Sequence, residues 1–140
     1  MVLSIRNRFA GTVSEIVGGA VMGTVAISIP GGQTLTATVT MDAIKDLGVN
    51  IGDTVEALIK STDISLATGG TSGLSIRNKL RGTLVDVDSG GAMSVARIAL
   101  AEGPEITAAI TRAAAEELAL RPGLPVTALI KSTEVSFSAA

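Results

Sequence analysis

Hydrogen-bond donors recur at matching places in the two halves of this chain. The motif SIRN at 4–7 returns at 75–78, and ALIKST at 57–62 returns at 128–133, both at a spacing of 71 residues. Hydroxyls, cations and backbone N–H groups suit a small oxyanion, because each of them donates hydrogen bonds. The candidate anion-binding residues are Ser4, Arg6, Thr40, Lys60 and Ser61, with Ser75, Arg77, Thr111, Lys131 and Ser132 as their counterparts.

Each of these residues also has an ordinary structural explanation, such as an exposed strand hydroxyl, a helix cap or a solubilising charge. Their joint return favours a shared polar task, because core positions drift between the copies, with Val13 replaced by Leu84. Lys60 and Ser61 are successive, so on a regular strand they face opposite ways. They can contact one anion through the lysine ammonium and the serine N–H, or if the strand ends there.

Enzymatic chemistry is poorly represented in the composition. Histidine and cysteine are absent, which excludes Ser-His-Asp and Cys-His systems and the usual zinc, copper and haem ligand sets. A Ser4–Lys60 dyad stays open, but it needs a lysine with a lowered pKa. The carboxylate pairs Asp86/Asp88 and Glu116/Glu117 are interpreted as solvated surface groups. We therefore predict a protein that is not an enzyme, with no catalytic residues, no metal ligands and no organic cofactor.

Length and charge limit the possible partners. The repeat divides the 140 residues into domains at 1–68 and 74–140 with a linker at 69–73. Domains this small are marginally stable alone, and 46% apolar residues predict self-association. A net charge of −2 with two Phe and no Tyr or Trp argues against nucleic-acid binding. The sequence contains no uninterrupted apolar run of about 20 residues, the length that a membrane-spanning helix needs, so we expect a cytoplasmic protein.

The elements that must position the donors are mostly strands. Alternating apolar residues around Pro30–Gly31–Gly32 predict a hairpin, and Thr40 and Gly48 are expected to cap a short helix. Leu3 and Ile5 are assigned to the first strand, with Ser4 and Arg6 on its other face. Each repeat therefore reads strand, strand, strand, short helix, strand, strand. We predict an all-β protein of tandem OB-like five-stranded barrels, with an open α+β sheet as the competing fold.

At these residues the chain resembles the molbindins, the cytoplasmic molybdate-binding proteins built from Mop domains. The resemblance covers nearly all of both repeats and is carried by SIRN-x-x-x-G-T, GGA, GGQTLTATVT and ALIKST. It departs at EGPEITAAIT, where the second repeat loses the Gly-Gly-Gln turn. The resemblance implies an OB-like barrel per repeat, a homotrimer, and molybdate or tungstate bound at domain interfaces by the ten candidate residues.

Three functions are candidates for this chain. The first is storage of molybdate or tungstate for intracellular molybdenum homeostasis, without contact to nucleic acid or membrane. The alternative is an anion-sensing regulatory or interaction module that acts through a separate partner protein. An OB-type nucleic-acid binder is the third, and it lacks the aromatic side chains on which bases stack.

Overall fold

The structure is a computed structural model that describes residues 1–139. The first repeat contains β1 (Asn7–Val17), β2 (Met22–Ser28), β3 (Thr34–Thr40), α1 (Met41–Leu47), β4 (Thr54–Ile59) and β5 (Ile64–Ala67). The second contains β6 (Asn78–Ser89), β7 (Met93–Leu100), β8 (Glu105–Thr111), α2 (Arg112–Glu117), β9 (Pro125–Ile130) and β10 (Ser136–Ala139). Within this range no helix has the length and apolar character needed to cross a bilayer.

The predicted fold class is confirmed: two curled five-stranded sheets, with one short α-helix in each repeat. The β2–β3 hairpin forms as expected, and Gly31 and Gly32 take φ values of 98° and 92° in its turn. Thr40 caps α1 by accepting from the N–H of Ala43 at 3.1 Å, and Gly48 ends it with φ 63°. These local features follow from residue type alone.

One boundary differs from the prediction. The first strand begins at Asn7, which pairs with Ile59, so Leu3, Ser4, Ile5 and Arg6 lie before the strand rather than on it. The sequence assignment relied on alternation, which an extended segment shows whether or not a neighbouring strand pairs with it. Ser4 and Arg6 are therefore not constrained to one face of a sheet.

The closing strands are exchanged between the repeats. The first sheet has the order β10-β4-β1-β2-β3, and the second has the order β5-β9-β6-β7-β8. Phe137 of β10 thus pairs with Ala57 of β4, while Leu66 of β5 pairs with Ala128 of β9. Each sheet contains four strands of one repeat and the last strand of the other.

The interior is shared as well. Buried residues alternate along the hairpin strands, with Val25 and Ile27 of β2 facing Leu35 and Ala37 of β3, all at 0% exposure. The buried side chains of both sheets form one contiguous apolar cluster that includes Phe137. Because burial of apolar area is the main favourable term in folding, we expect the repeats to stabilise one another.

Two buried asparagines connect the repeats through backbone groups. The Asn78 side chain donates to the carbonyl of Thr36 at 2.8 Å and accepts from its N–H at 2.7 Å. Asn7 makes the same pair of bonds to Thr107, at 2.9 and 2.7 Å. Thr36 and Thr107 lie on β3 and β8, the outer strands of the two sheets. Each amide therefore satisfies one residue of an otherwise unpaired strand edge.

Candidate functional site

Four of the predicted donors meet in one pocket beside the first closing segment. It has a volume of about 240 Å³, and we call it the Lys60 pocket; its lining residues are Ser4, Ile5, Arg6, Lys60, Ser61 and Thr62. Strand β4 ends at Ile59, and a 3-10 turn begins at Ser61. Lys60 and Ser61 are therefore not on a regular strand, so the geometric objection to their contacting one ligand does not apply here.

The Lys60 pocket is electropositive. Arg6 and Lys60 are exposed, and neither forms an ion pair within residues 1–139. None of the lining residues carries a carboxylate. The hydroxyl oxygen of Ser61 is buried and has no hydrogen-bond partner among the described residues. Groups with unused donors suit an anion with several acceptor oxygens. A cation site is not indicated, because residues 1–139 contain no cluster of three or more metal-ligating side chains.

Thr40 and Thr111 lie outside this pocket. Their side-chain oxygens accept from the N–H groups of Ala43 and Ala114, both at 3.1 Å, and so cap α1 and α2. The structure thus gives both threonines a capping role and does not place them beside Lys60.

Three of the second-repeat candidates lie in two separate spaces. Lys131 lines a pocket of about 160 Å³ together with Asp63 and Glu134, so its charge sits among carboxylates. Arg77 and Ser132 instead line a larger cleft of about 490 Å³ against the first repeat. Ser75 is exposed and lines neither of these two spaces. The second-repeat donors therefore do not line one shared pocket, unlike the four donors of the Lys60 pocket.

Several hydrogen bonds between the repeats were not predicted from the sequence. Thr38 donates to the Ser132 hydroxyl at 2.9 Å, and Gln33 bonds the backbone of Arg81 through both its amide atoms, at 3.1 and 2.8 Å. Their counterparts in the second repeat are Ala109 and Pro104, so the repeat carried no signal for them. The asparagines did leave a signal, because both copies of SIRN keep them.

The TOBE domain family matches residues 3–66 and 74–137, once in each repeat. The chain belongs to the TOBE domain family. The resemblance to molybdate-binding proteins drawn from the sequence is thereby confirmed at the level of tandem TOBE domains.

Relatives with molybdenum-related names cover most of the chain. It is 39% identical over 137 residues to the molybdenum transport protein ModE of Herbaspirillum seropedicae, covering 96% of this chain and 51% of the relative. It is 38% identical to the molybdenum-pterin-binding protein MopB of Rhodobacter capsulatus, covering 94% and 49%. The chain thus spans about half the length of these relatives.

A solved structure has the same size as well as the same fold. The cytoplasmic molybdate-binding protein ModG, with molybdate bound, superposes with a TM-score of 0.94 at 37% identity, covering 100% of both chains. The match therefore includes both TOBE domains of this chain and the strands that they exchange.

Proposed function

We propose that this protein binds molybdate or tungstate and stores the anion for intracellular molybdenum homeostasis. The observation that carries the proposal is the Lys60 pocket, where Ser4, Arg6, Lys60 and Ser61 converge without a carboxylate. The likeness to ModG, a molybdate-binding protein, supports it. The bound anion is then cargo, and no catalytic step, organic cofactor or metal ligation by the protein is required.

The pocket is chemically suited to a tetrahedral dianion. Because a water molecule takes up about 30 Å³ of liquid, a space of about 240 Å³ accommodates the four oxygens of such an anion. Arg6 and Lys60 supply charge-assisted hydrogen bonds, which are worth about 1.5 to 3 kcal/mol when well formed. The unpaired Ser61 hydroxyl gains a partner when an oxyanion accepts from it. Exposed cations contribute toward the low end of that range.

We further propose that the chain acts as a homotrimer, with interfaces completing the sites. Exposed apolar residues support assembly: Val17, Val21 and Met22 near the β1–β2 turn are 51%, 71% and 43% exposed. Such a patch costs free energy in water and is typical of a contact surface. With a chain mass of 14.0 kDa, native mass spectrometry should show a species of about 42 kDa. A monomer at micromolar concentration would contradict this assembly.

Residues 1–68 and 74–140 are proposed as the two domains, joined by 69–73, although β5 and β10 pair across that division. A cytoplasmic location is proposed from the likeness to ModG, without contact to nucleic acid or membrane. An anion-sensing module acting through a separate partner is the second candidate. It is favoured by the ModE relatives, of which this chain corresponds to only 51% in the case from Herbaspirillum seropedicae.

Titration calorimetry with molybdate and tungstate tests the proposed function. We expect the wild-type protein to release or absorb heat on binding and to gain thermal stability, because a ligand that binds only the folded state stabilises it. The double variant Lys60→Ala/Lys131→Ala should lose at least about 10-fold in affinity, since it lacks the charge-assisted bond from Lys60 in the Lys60 pocket and the charge of the matching lysine in the second repeat. Its trimer mass should not change.

Lys45→Ala is the matched control, because Lys45 is also an exposed lysine but lies on α1, outside the pocket. Its affinity should equal that of the wild type. Absence of binding by the wild-type protein at millimolar molybdate would refute the proposed function. Equal losses in Lys45→Ala and the double variant would instead refute the site and point to general charge attraction. A pull-down that depends on molybdate would favour the sensing module.

A further inference from the structure

Two serine hydroxyls at equivalent positions of the repeats have different surroundings. Ser61 begins the 3-10 turn that follows β4, and Ser132 begins the one that follows β9. The Ser132 oxygen accepts a hydrogen bond from Thr38 at 2.9 Å, whereas the buried Ser61 oxygen has no partner among the described residues. A buried hydroxyl without a partner is uncommon in folded proteins, so the difference between the two serines needs a physical explanation.

The residue opposite each serine supplies that explanation. The 3-10 turn of the second repeat packs against β3, and that of the first repeat packs against β8. We call these two contacts the Ser132 seam and the Ser61 seam. Thr38 lies on β3, and at the repeat spacing of 71 residues its counterpart on β8 is Ala109. The Ser61 seam therefore lacks the hydroxyl that holds the serine in the Ser132 seam.

The two strands present these positions in the same way. Thr38 and Ala109 are both half-buried, and β3 and β8 are the outer strands of their sheets. Two residues earlier in each strand, at Thr36 and Thr107, an asparagine side chain bonds the backbone N–H and carbonyl. The strand backbones are thus held alike, so the missing hydroxyl, rather than a different strand position, leaves Ser61 without a partner.

A neighbouring donor fixes how a serine hydroxyl is oriented. Its hydrogen rotates among three staggered positions unless a partner selects one of them. Because Thr38 donates to the Ser132 oxygen, the Ser132 hydrogen is directed away from Thr38 and is available to an acceptor in the seam. The Ser61 hydrogen has no such constraint, so a ligand must also stop its rotation. Selecting one of three positions on binding lowers affinity about 3-fold.

We propose that Thr38 is a positioning residue for Ser132, and that Ala109 withholds the same support from Ser61. The side chain at this repeat position then adjusts the affinity of each seam for an oxyanion without touching the anion. The inference rests on the proposed function and on the predicted contacts of both serines with the anion. It assigns a role to Thr38 and Ala109, which are not among the ten predicted donors.

Ala109→Thr tests the proposal by adding the hydroxyl to the Ser61 seam. In a parent chain that carries Arg77→Ala, which weakens the other seam, calorimetry should show molybdate binding about 3-fold tighter after this substitution. Ala109→Val is the matched control, because valine has the shape of threonine without its hydroxyl, and its affinity should equal that of the parent. A gain in affinity does not arise from damage to the fold. Equal affinities of Ala109→Thr and Ala109→Val would overturn the proposal.

Removal of Ser61 shows whether the added hydroxyl acts through that serine. In the Ser61→Ala background, Ala109→Thr should bind molybdate no more tightly than Ala109→Val, since a positioning effect needs the group that it positions. A gain that persists in this background would mean that the added hydroxyl contacts the anion directly. That result would overturn the positioning role.

The reverse test removes the hydroxyl from the Ser132 seam. In a parent chain that carries Lys60→Ala, Thr38→Val should bind molybdate about 3-fold more weakly. Thr38→Ser keeps the donor and should bind as the parent does, and circular dichroism checks that both variants fold. A loss in Thr38→Ser equal to that in Thr38→Val would assign the effect to packing and refute the role of Thr38.

Failure of this inference is distinguishable from failure of the proposed function. A wild-type protein that binds no molybdate refutes the proposed function and this inference with it. If the wild type binds molybdate and the threonine-to-valine comparisons show no difference at either position, the proposed function stands and only the positioning role is refuted.

Discussion

The buried asparagine that connects the second repeat to β3 offers the sharpest test of how the fold is held together. Asn78 is 2% exposed and makes two bonds to the backbone of Thr36, at 2.8 and 2.7 Å. Replacing it with alanine leaves one N–H and one C=O of an outer strand without partners. A lost bond of this kind costs about 1 to 1.5 kcal/mol net, so Asn78→Ala should lower the free energy of unfolding by about 2 to 3 kcal/mol.

The assay is urea and thermal unfolding at a fixed protein concentration, because an oligomer's apparent stability depends on concentration. For a chain of this size, about 4 °C per kcal/mol is expected, which predicts a Tm lower by about 8 to 12 °C. Asn50→Ala is the control, since Asn50 is exposed and bonds only locally, donating to the carbonyl of Gly48 at 3.2 Å and through its backbone N–H to Asp53. It should cost about 0.5 kcal/mol or less.

A loss in Asn78→Ala no larger than that of Asn50→Ala would refute the reasoning. Asn7→Ala should match Asn78→Ala, because Asn7 makes the same two bonds to Thr107. Asn78→Asp adds a further check: it keeps the acceptor but places a carboxylate against the Thr36 carbonyl. Its folded-state pKa should be raised, so the variant should recover stability as the pH falls and the protonated acid donates again.

Two further predictions concern a turn contact and an ion cluster. Gly31→Ala should lower the free energy of unfolding by at least about 1 kcal/mol more than Gly32→Ala does. Both glycines have positive φ, but only a Cβ at Gly31 would overlap the carbonyl of Ala101. Equal losses of stability in urea unfolding would exclude that contact between the two turns. The Arg97 guanidinium, by its hydrogen bond and then by its charge, holds the pKa of Asp86 below its ordinary value of 3.8. The wild type should therefore be more stable than Asp86→Asn above pH 3.8, and this difference should vanish as the pH falls through the lower folded-state pKa. A midpoint at or above 3.8 in an NMR titration of the Asp86 carboxyl would contradict this prediction.

Local features were predictable where residue type decides conformation. The turn at Gly31–Gly32 and the caps at Thr40 and Gly48 follow from positive φ and from a side-chain oxygen that accepts a backbone N–H. The position of Ser4 and Arg6 could not be predicted, because the alternation of apolar residues does not show where pairing with a neighbouring strand begins. The start of the first strand at Asn7 depends on β4, more than 40 residues away.

The candidate site was partly predictable. The return of SIRN and ALIKST singled out the donors, and the Lys60 pocket collects four of them. The repeat placed matching donors in both halves and left open whether their sites are equivalent. The structure separates Lys131 from Arg77 and Ser132. Thr38 and Ala109 differ by one hydroxyl, and its effect appears only when β3 is placed beside the second closing segment.

Local sequence accounts for the elements, the repeat and the chemical character of the donors, because turns, caps and alternating burial depend on nearby residues. The sheet that each closing strand joins depends on contacts between distant parts of the chain. ALIKST is identical in both copies, and the strands that follow it are similar, so either sheet offers almost the same hydrogen bonds and apolar contacts to β5 or β10. Local energies therefore cannot distinguish the pairings. Contacts between the repeats do distinguish the two pairings. They also place Arg77 and Ser132 opposite the threonines of β3.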